Sequence, residues 1–242
     1  MDQPNDGNPK SVMIIVAHPD DGEHMAAGTM AKWARKGSEV YYVLCTSGDK
    51  GSSDPDVNPE DLAQTREREQ RAAAKVVGAK DVVFLKYLDG ALSNTMELRR
   101  DIVREIRRYR PDVLLCQDPT IRYSDTHINH PDHRAAGDTA LDAVFPSARD
   151  YHAFPELIEE GFMPHKTLEV YLGAQSSNAS VWVDISDTIE VKIAALSEHK
   201  SQVGEDPVQI EAMASRIKQR SAEIGSAHGM SYAESFKYVH LR

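Results

Sequence analysis

Short apolar runs alternate with longer amphipathic or polar segments along the first half of the chain. Ser11–Val16 (SVMIIV) is apolar almost throughout, as expected of a strand that is buried on both faces of a parallel sheet. Three similar runs predict three more strands, at residues 39–45, 82–85 and 113–116. The pattern therefore begins with four buried strands.

The segments that follow these strands have the spacing or composition of helices. They are residues 23–36, 61–77, 94–109 and a segment that begins near Pro131. Gly37 and Gly78 directly follow the first two segments, and glycine commonly ends helices. Leu98, Ile102 and Ile106 lie on one face of the third. Strand and helix thus alternate four times, which is typical of parallel strands joined by right-handed crossovers.

This order predicts an α/β fold, a single domain with a Rossmann-like, mostly parallel sheet between helices. Later strands are expected at residues 168–172 and 181–183, a helix through Ile185, Ile189, Ile193 and Leu196, and another helix at residues 207–224. We expect residues 1–10 to be a flexible N-terminal segment and residues 11–242 to form the domain. Residues 145–166 show no clear pattern and could be an insertion or a subunit contact, and we expect them to help shape the substrate pocket.

Composition and charge indicate which kinds of molecule this chain is expected to bind and which it is not. The formal charge of -10 and the pI near 5.5 argue against nucleic acid, because phosphate binding needs concentrated Lys and Arg. No apolar segment approaches the roughly 20 residues that span a bilayer, and the polar N-terminus lacks a signal peptide, so we expect no membrane association and a cytoplasmic location. Cys45 and Cys116 each end an apolar run without CxxC spacing, which indicates buried thiols.

Histidines and carboxylates follow the first and the fourth predicted strand. The first cluster contains His18, Asp20, Asp21 and Glu23. The second cluster contains His127, His130, Asp132 and His133. Ligands of open parallel sheets bind beyond the carboxyl ends of the strands, so we expect the two clusters to meet at one rim. The first turn lacks the GxGxxG pattern of dinucleotide sites, and its carboxylates favour a divalent cation instead.

Imidazole nitrogen and carboxylate oxygen suit zinc, and a catalytic zinc keeps three protein ligands and a water. His18, Asp21 and His133 would supply such a set, although the same ligand types also allow iron. Asp20 could take the proton from the zinc-bound water, and His130 could stabilise the oxyanion or protonate the leaving amine. Either cluster alone could be a turn whose Asp caps a helix. Two such clusters at one rim favour a metal site.

Two of these segments resemble the signature motifs of the LmbE-like (PIG-L) deacetylase family. They are AHPDDGE at residues 17–23 and HPDH at residues 130–133. Similar segments are TSGDKG (46–51), TRERE (65–69), LDG (88–90) and HKSQ (199–202). The resemblance covers most of the chain and implies a Rossmann-like fold, one Zn²⁺ ion and hydrolysis of N-acetylated amino sugars. It also implies a homo-oligomer, since members often assemble.

Transferred residue by residue, the resemblance implies His18, Asp21 and His133 as the zinc ligands. It implies Asp20 as the general base and His130 as the group that assists the oxyanion or the leaving amine.

Further positions match residues that contact the sugar in some members. They are Arg66 and Asp89. Arg66 could equally form an ion pair with a nearby Glu on the helix surface, and Asp89 could equally be a turn residue before Gly90. Some members also carry a tyrosine where this chain has Ile128. Tyr123 in the same loop could substitute for it, and the role of the nearby His127 is open.

The leading hypothesis is a zinc-dependent hydrolase that removes the N-acetyl group from a small-molecule, GlcNAc-type amino sugar. An amidase that cleaves thiol-conjugates of a pseudodisaccharide would use the same zinc. A non-catalytic metal- or sugar-binding module is the alternative of another class. Asp20 beside Asp21 counts against such a module, because binding requires a ligand but no adjacent base.

Overall fold

The computed structural model describes residues 8–173 and 178–242, and over these residues seven strands form one sheet. The strand order is β3-β2-β1-β4-β5-β7-β6. The strands are β1 Ser11–Val16, β2 Glu39–Thr46, β3 Asp81–Tyr87, β4 Val113–Gln117, β5 Glu169–Gly173, β6 Val181–Asp184 and β7 Ala233–His240. Residues 1–7 of the predicted flexible segment lie outside the described residues.

Helices cover both faces of this sheet. They are α1 Asp21–Arg35, α2 Pro59–Val77, α3 Met96–Tyr109, α4 Pro131–Val144, α5 Pro155–Glu159, α6 Ile189–Ser197, α7 Lys200–Val203 and α8 Pro207–Ser226. Helices α1, α2 and α6 contribute to one apolar core, and α3 and α4 contribute to the core on the opposite face. The predicted fold class is therefore confirmed. Within the described part of the chain, none of the helices is both long and apolar enough to cross a bilayer.

Strand β1 lies at the centre because its side chains can be buried in both directions. Ile14 contributes to one core and Ile15 to the other, and both are fully buried. The strand pairs in parallel with β2 on one side and with β4 on the other. Cys45 and Cys116 are buried free thiols, as expected. The pairing of β1 with β4 brings the segments that follow them to the same rim.

The sequence pattern missed β7, which runs antiparallel between β5 and β6. Glu234 and Lys237 interrupt its apolar character. Glu234 is nevertheless buried, because its carboxylate accepts hydrogen bonds from Lys192 Nζ and from the amides of Gly28 and Thr29. An internal strand can therefore contain a charged residue whose partners come from distant parts of the chain.

Residues 145–166 pack against the end of α3. They contain a 3₁₀ turn, Ser147–Arg149, and helix α5. The buried Arg107 side chain donates hydrogen bonds to backbone carbonyls across this region: those of Ser147, Ala148, Asp150, Ala153 and Phe154. A single guanidinium with five donors thus organises a stretch that has little periodicity of its own.

Candidate metal and catalytic site

The first cluster lies on a tight connection between β1 and α1. Asp20 has a positive φ of 83°, and α1 begins at Asp21, two residues earlier than predicted. A non-glycine residue held at positive φ costs of order 1–3 kcal/mol, and such residues are frequent at functional sites. Two side chains of α2 hold the turn: Gln70 Oε1 accepts from the Asp20 amide at 3.1 Å, and Arg66 donates to the Pro19 carbonyl at 2.8 Å. The strained turn is therefore supported from outside.

The second cluster lies at the N-terminus of α4. Asp132 is completely buried, and its carboxylate accepts hydrogen bonds from the amides of Gly90 at 2.7 Å and Leu92 at 3.2 Å. The amide of Asp132 donates to Nδ1 of His130 at 3.1 Å. Because Nδ1 is the acceptor, a neutral His130 carries its proton on Nε2. His130 can therefore act as a hydrogen-bond donor through Nε2.

The two clusters meet, as the sequence predicts. The ring centroids of His18 and His130 are 4.8 Å apart, and those of His18 and His133 are 5.3 Å apart. Asp132 Oδ2 also lies 3.3 Å from His18 Nε2. The rim therefore combines residues that are more than a hundred positions apart in the chain.

His18, Asp21 and His133 lie together, with the carboxylate between the two rings. Asp21 Oδ1 is 3.1 Å from His133 Nε2, and Asp21 Oδ2 is 3.3 Å from His18 Nδ1. The outer nitrogens have other partners: His133 Nδ1 faces Asn129 Oδ1 at 3.0 Å, and His18 Nε2 faces Asp89 Oδ1 at 3.0 Å. If these outer nitrogens carry the ring protons, both inner nitrogens present lone pairs to Asp21.

Lone pairs that face a carboxylate at such distances need a cation or a proton between them. Bonds of about 2.0–2.1 Å in tetrahedral geometry place neighbouring ligand atoms roughly 3.3–3.4 Å apart. The two separations on either side of Asp21 are close to this value. Metal-binding histidines also usually donate their outer N–H to an oxygen acceptor, as both rings can here. Each histidine–Asp21 pair therefore has a spacing that zinc would require, with a different Asp21 oxygen in each pair, and the binding of one ion by all three residues stays a prediction.

The charges in the cluster favour a cation as well. Burial alone would lower the pKa of His18, but hydrogen bonds to Asp21 and Asp89 raise it to about 10. Burial opposes ionisation of Asp21, yet hydrogen bonds from His133 and His18 lower its pKa far below the usual range. Among the described residues, two groups of three have ligand atoms within 4.8 Å of one another inside each group, His18–His130–His133 and His18–Asp89–Asp132, and neither includes Asp21. The rim is therefore rich in donors and concentrates negative charge.

Asp20 lies next to this donor set and contacts Arg66. The Arg66 guanidinium is buried, with one nitrogen 3.3 Å from Asp20 Oδ2 and another donating to the Gly48 carbonyl at 3.0 Å. Arg66 therefore does not form the helix-surface ion pair that the sequence allowed as an alternative. Burial and the neighbouring Asp21 charge raise the pKa of Asp20 to about 7, against the opposing effect of Arg66.

Asp89 contacts the His18 ring at the nitrogen that does not face Asp21. Its Oδ1 contacts His18 Nε2, and its Oδ2 accepts from the Lys50 amide at 2.9 Å. Contact with a sugar stays a prediction for both Asp89 and Arg66. Tyr123 and Ile128 pair in an isolated β-bridge and are exposed, so a substitute role for Tyr123 stays a prediction too.

A cavity of 660 Å³ opens beside the predicted ligands Asp21 and His133. Cavities of about 300–1,000 Å³ hold drug-sized ligands. Its wall includes Arg216 and Arg220 of α8, and His127 also lines it. Residues 145–166 do not line this cavity, and the expectation that they shape the substrate pocket stays a prediction. The stretch is instead held by Arg107.

Several residues of the site were not assigned a role from the sequence: Glu23, Gln70, Asn129, Asp132 and His199. The motifs contained Glu23, Asp132 and His199, but a motif does not say which neighbour each side chain binds. Gln70 and Asn129 gave no signal, because a glutamine in a helix or an asparagine in a loop is ordinary. Their importance comes from partners brought together by the tertiary fold.

Comparison with known proteins gives consistent matches. The family model described as PIG-L, GlcNAc-PI de-N-acetylase, matches residues 13–144. The diacetylchitobiose deacetylase of Thermococcus kodakarensis is 34% identical over 230 residues, which cover 95% of this chain and 83% of the relative. The mycothiol S-conjugate amidase of Streptomyces coelicolor is 29% identical and matches 66% of this chain and 59% of the relative. The solved N,N′-diacetylchitobiose deacetylase from Pyrococcus horikoshii has a TM-score of 0.86 and 28% identity, covering 96% of this chain and 85% of that chain.

Proposed function

The chain belongs to the PIG-L family of de-N-acetylases, and from this premise we propose that it uses zinc held by His18, Asp21 and His133. It is an enzyme that acts on the N-acetyl amide bond of a GlcNAc-type substrate. The observation that carries the proposed mechanism is the position of Asp20. The Asp20 carboxylate forms its ion pair with Arg66, at 3.3 Å, and not with His18 or His133. Asp20 directly precedes the proposed ligand Asp21 in the chain.

In this mechanism Asp20 accepts the proton of the attacking water and the acetyl group leaves as acetate. Zinc at this site would activate the water and polarise the amide carbonyl. His130 donates from Nε2 to the developing oxyanion, since the Asp132 amide occupies its Nδ1. The proton that Asp20 has accepted then passes to the leaving amine, because the single proton of a neutral His130 stays on Nε2. Arg66 keeps the Asp20 carboxylate directed at the site.

The sugar is proposed to bind in the cavity beside Asp21 and His133. Its volume of 660 Å³ leaves room for a group beyond one N-acetylhexosamine. The similarity to a diacetylchitobiose deacetylase makes N,N′-diacetylchitobiose the first substrate to test. The similarity to an amidase of mycothiol conjugates keeps thiol-conjugate cleavage as a second candidate, because that reaction also hydrolyses an amide. Both substrates would place their amide over the same donors.

The test is acetate release by zinc-loaded protein from N-acetylglucosamine, N,N′-diacetylchitobiose and a thiol-conjugate of a pseudodisaccharide. We expect the chitobiose derivative to be deacetylated and Asp20→Asn to lose most turnover while retaining zinc. Cleavage of the thiol-conjugate alone would select the amidase. Stoichiometric zinc with no release from any of the three would favour a binding module.

We also propose that residues 11–242 act as one unit that assembles into a homo-oligomer. Large apolar side chains are exposed in the stretch at 145–166: Phe145, Tyr151 and Met163 are 46–62% exposed. A contiguous exposed apolar patch is typical of contact surfaces, and these three side chains are proposed to contribute to one. A monomer at all concentrations in light scattering would contradict the assembly.

A further inference from the structure

Three buried polar residues from different motifs converge behind Asp20. Glu23 ends the AHPDDGE segment and lies on α1, Gln70 follows TRERE on α2, and His199 begins HKSQ just before α7. All three side chains are completely inaccessible to solvent. None of them lines the cavity beside the predicted zinc ligands. Direct contact with a substrate in that cavity therefore does not explain them.

The three residues form a chain of contacts that ends at Asp20. Gln70 Oε1 accepts from the Asp20 amide at 3.1 Å, and Gln70 Nε2 donates to Glu23 Oε1 at 2.8 Å. The other Glu23 oxygen lies 3.4 Å from His199 Nε2. An amide has an acceptor on one side and a donor on the other. Glu23 therefore fixes which end of the Gln70 side chain faces Asp20.

The location of this hydrogen bond gives it a specific effect. The Asp20 amide lies just before α1, where backbone donors have no partner within the helix, and the residue is held at a φ of 83°. The backbone of Asp20 sets the direction of its side chain. A buried polar chain also costs desolvation that apolar residues would avoid, so packing alone does not account for it.

We propose that Gln70 is a positioning residue, oriented by its hydrogen bond to Glu23, that holds the Asp20 backbone so that its carboxylate reaches the reacting water. The proposal rests on the proposed function, because it assumes that Asp20 is the base. It predicts that the network affects turnover and leaves the predicted zinc ligands and the substrate cavity intact.

A charge-swap experiment tests the orientation of the amide. Gln70→Glu places a carboxylate against Glu23, so we expect kcat on N,N′-diacetylchitobiose to fall at least tenfold, with KM within twofold and zinc content unchanged. The double variant E23Q/Q70E restores the bond with its donor on the other side. The carboxylate introduced at position 70 would accept from the Asp20 amide and from the side-chain amide introduced at position 23. We expect kcat of this double variant to return to within about threefold of wild type.

A milder variant keeps the test decisive if Gln70→Glu does not fold. Gln70→Asn keeps a side-chain amide, but its side chain is one methylene shorter and no longer brings the oxygen to the Asp20 amide. We expect it to lower kcat as Gln70→Glu does. Ala73→Gly is the matched control, because it weakens the same helix at a fully buried position one turn away without touching Asp20. We expect the control to lower the melting temperature and to leave kcat of the folded protein unchanged.

The outcomes separate the two proposals. Active wild-type protein together with unchanged kcat in Gln70→Glu and Gln70→Asn would overturn the positioning role alone. So would a double variant that recovers its melting temperature but not its kcat. Absence of acetate release by wild-type protein would remove the proposed function and the positioning role with it.

Discussion

Replacing Asn129 by Ala should weaken zinc binding without removing any ligand. Asn129 Oδ1 faces His133 Nδ1 at 3.0 Å and so directs the opposite nitrogen, Nε2, toward Asp21. The substitution also removes the bond from Asn129 Nδ2 to the Ile121 carbonyl. The backbone bonds of Asn129 to Arg122 and Arg134 remain, so the loop should keep its course.

The expected magnitude follows from the exposure of His133. Loss of an outer partner of a metal-binding histidine typically costs about 10–100-fold in metal affinity, or about 1.4–2.7 kcal/mol. The His133 side chain is 27% exposed, so water can replace part of the lost bond. We therefore expect the lower part of that range, about 10–30-fold.

The measurement is a competition titration of metal-free protein with zinc and a chromophoric chelator. Asn94→Ala is the control, since Asn94 bonds to Asp142 on the surface. At saturating zinc, Asn129→Ala should regain most of its turnover. An unchanged dissociation constant would refute the assignment of His133 Nε2 as a ligand oriented by Asn129.

Four further outcomes are expected. His18→Ala and His133→Ala should each lose stoichiometric zinc in elemental analysis, and full occupancy in both would exclude this ligand set. Asp20→Asn should keep its zinc while kcat falls about 10²–10⁴-fold, and loss of the metal instead would reverse the roles of the two aspartates. Arg66→Ala should cost about 1–3 kcal/mol in kcat/KM with zinc content unchanged, and wild-type efficiency would show that the sugar and Asp20 are held by other residues. Arg107→Met should leave five carbonyls without their donor and destabilise the fold by about 3 kcal/mol, or about 6–12 °C in Tm. An unchanged melting curve would show that residues 145–166 do not depend on Arg107.

The parallel half of the fold could be predicted because its strands are apolar on both faces. Burial of β1 in two cores produces a continuous run that has few other interpretations. Strand β7 could not be predicted in this way. Its Glu234 is compatible with an internal position only because Lys192 and two helix amides surround it, and no local pattern reports such partners.

The site shows the same division between local and distant information. Histidines and aspartates at strand ends identified the rim, and parallel pairing of β1 with β4 was sufficient to bring them together. The sequence could not say that Asp89 contacts His18 or that Arg66 is buried, because both facts depend on how loops fold over the rim. Hydrogen-bond partners of site residues are set by three-dimensional packing, which spacing along the chain does not encode.

The cavity beside Asp21 and His133 draws most of its far wall from the last third of the chain. All the proposed metal ligands and the base lie within residues 13–144, the part that matches the family model. Helix α8 and the start of β7 contribute much of the lining, and both follow that part. In the proposed mechanism, the catalytic residues thus come from one stretch of sequence and much of the cavity wall comes from another. Over evolution, α8 could change to admit a new sugar conjugate while the hydrolytic chemistry is inherited unaltered.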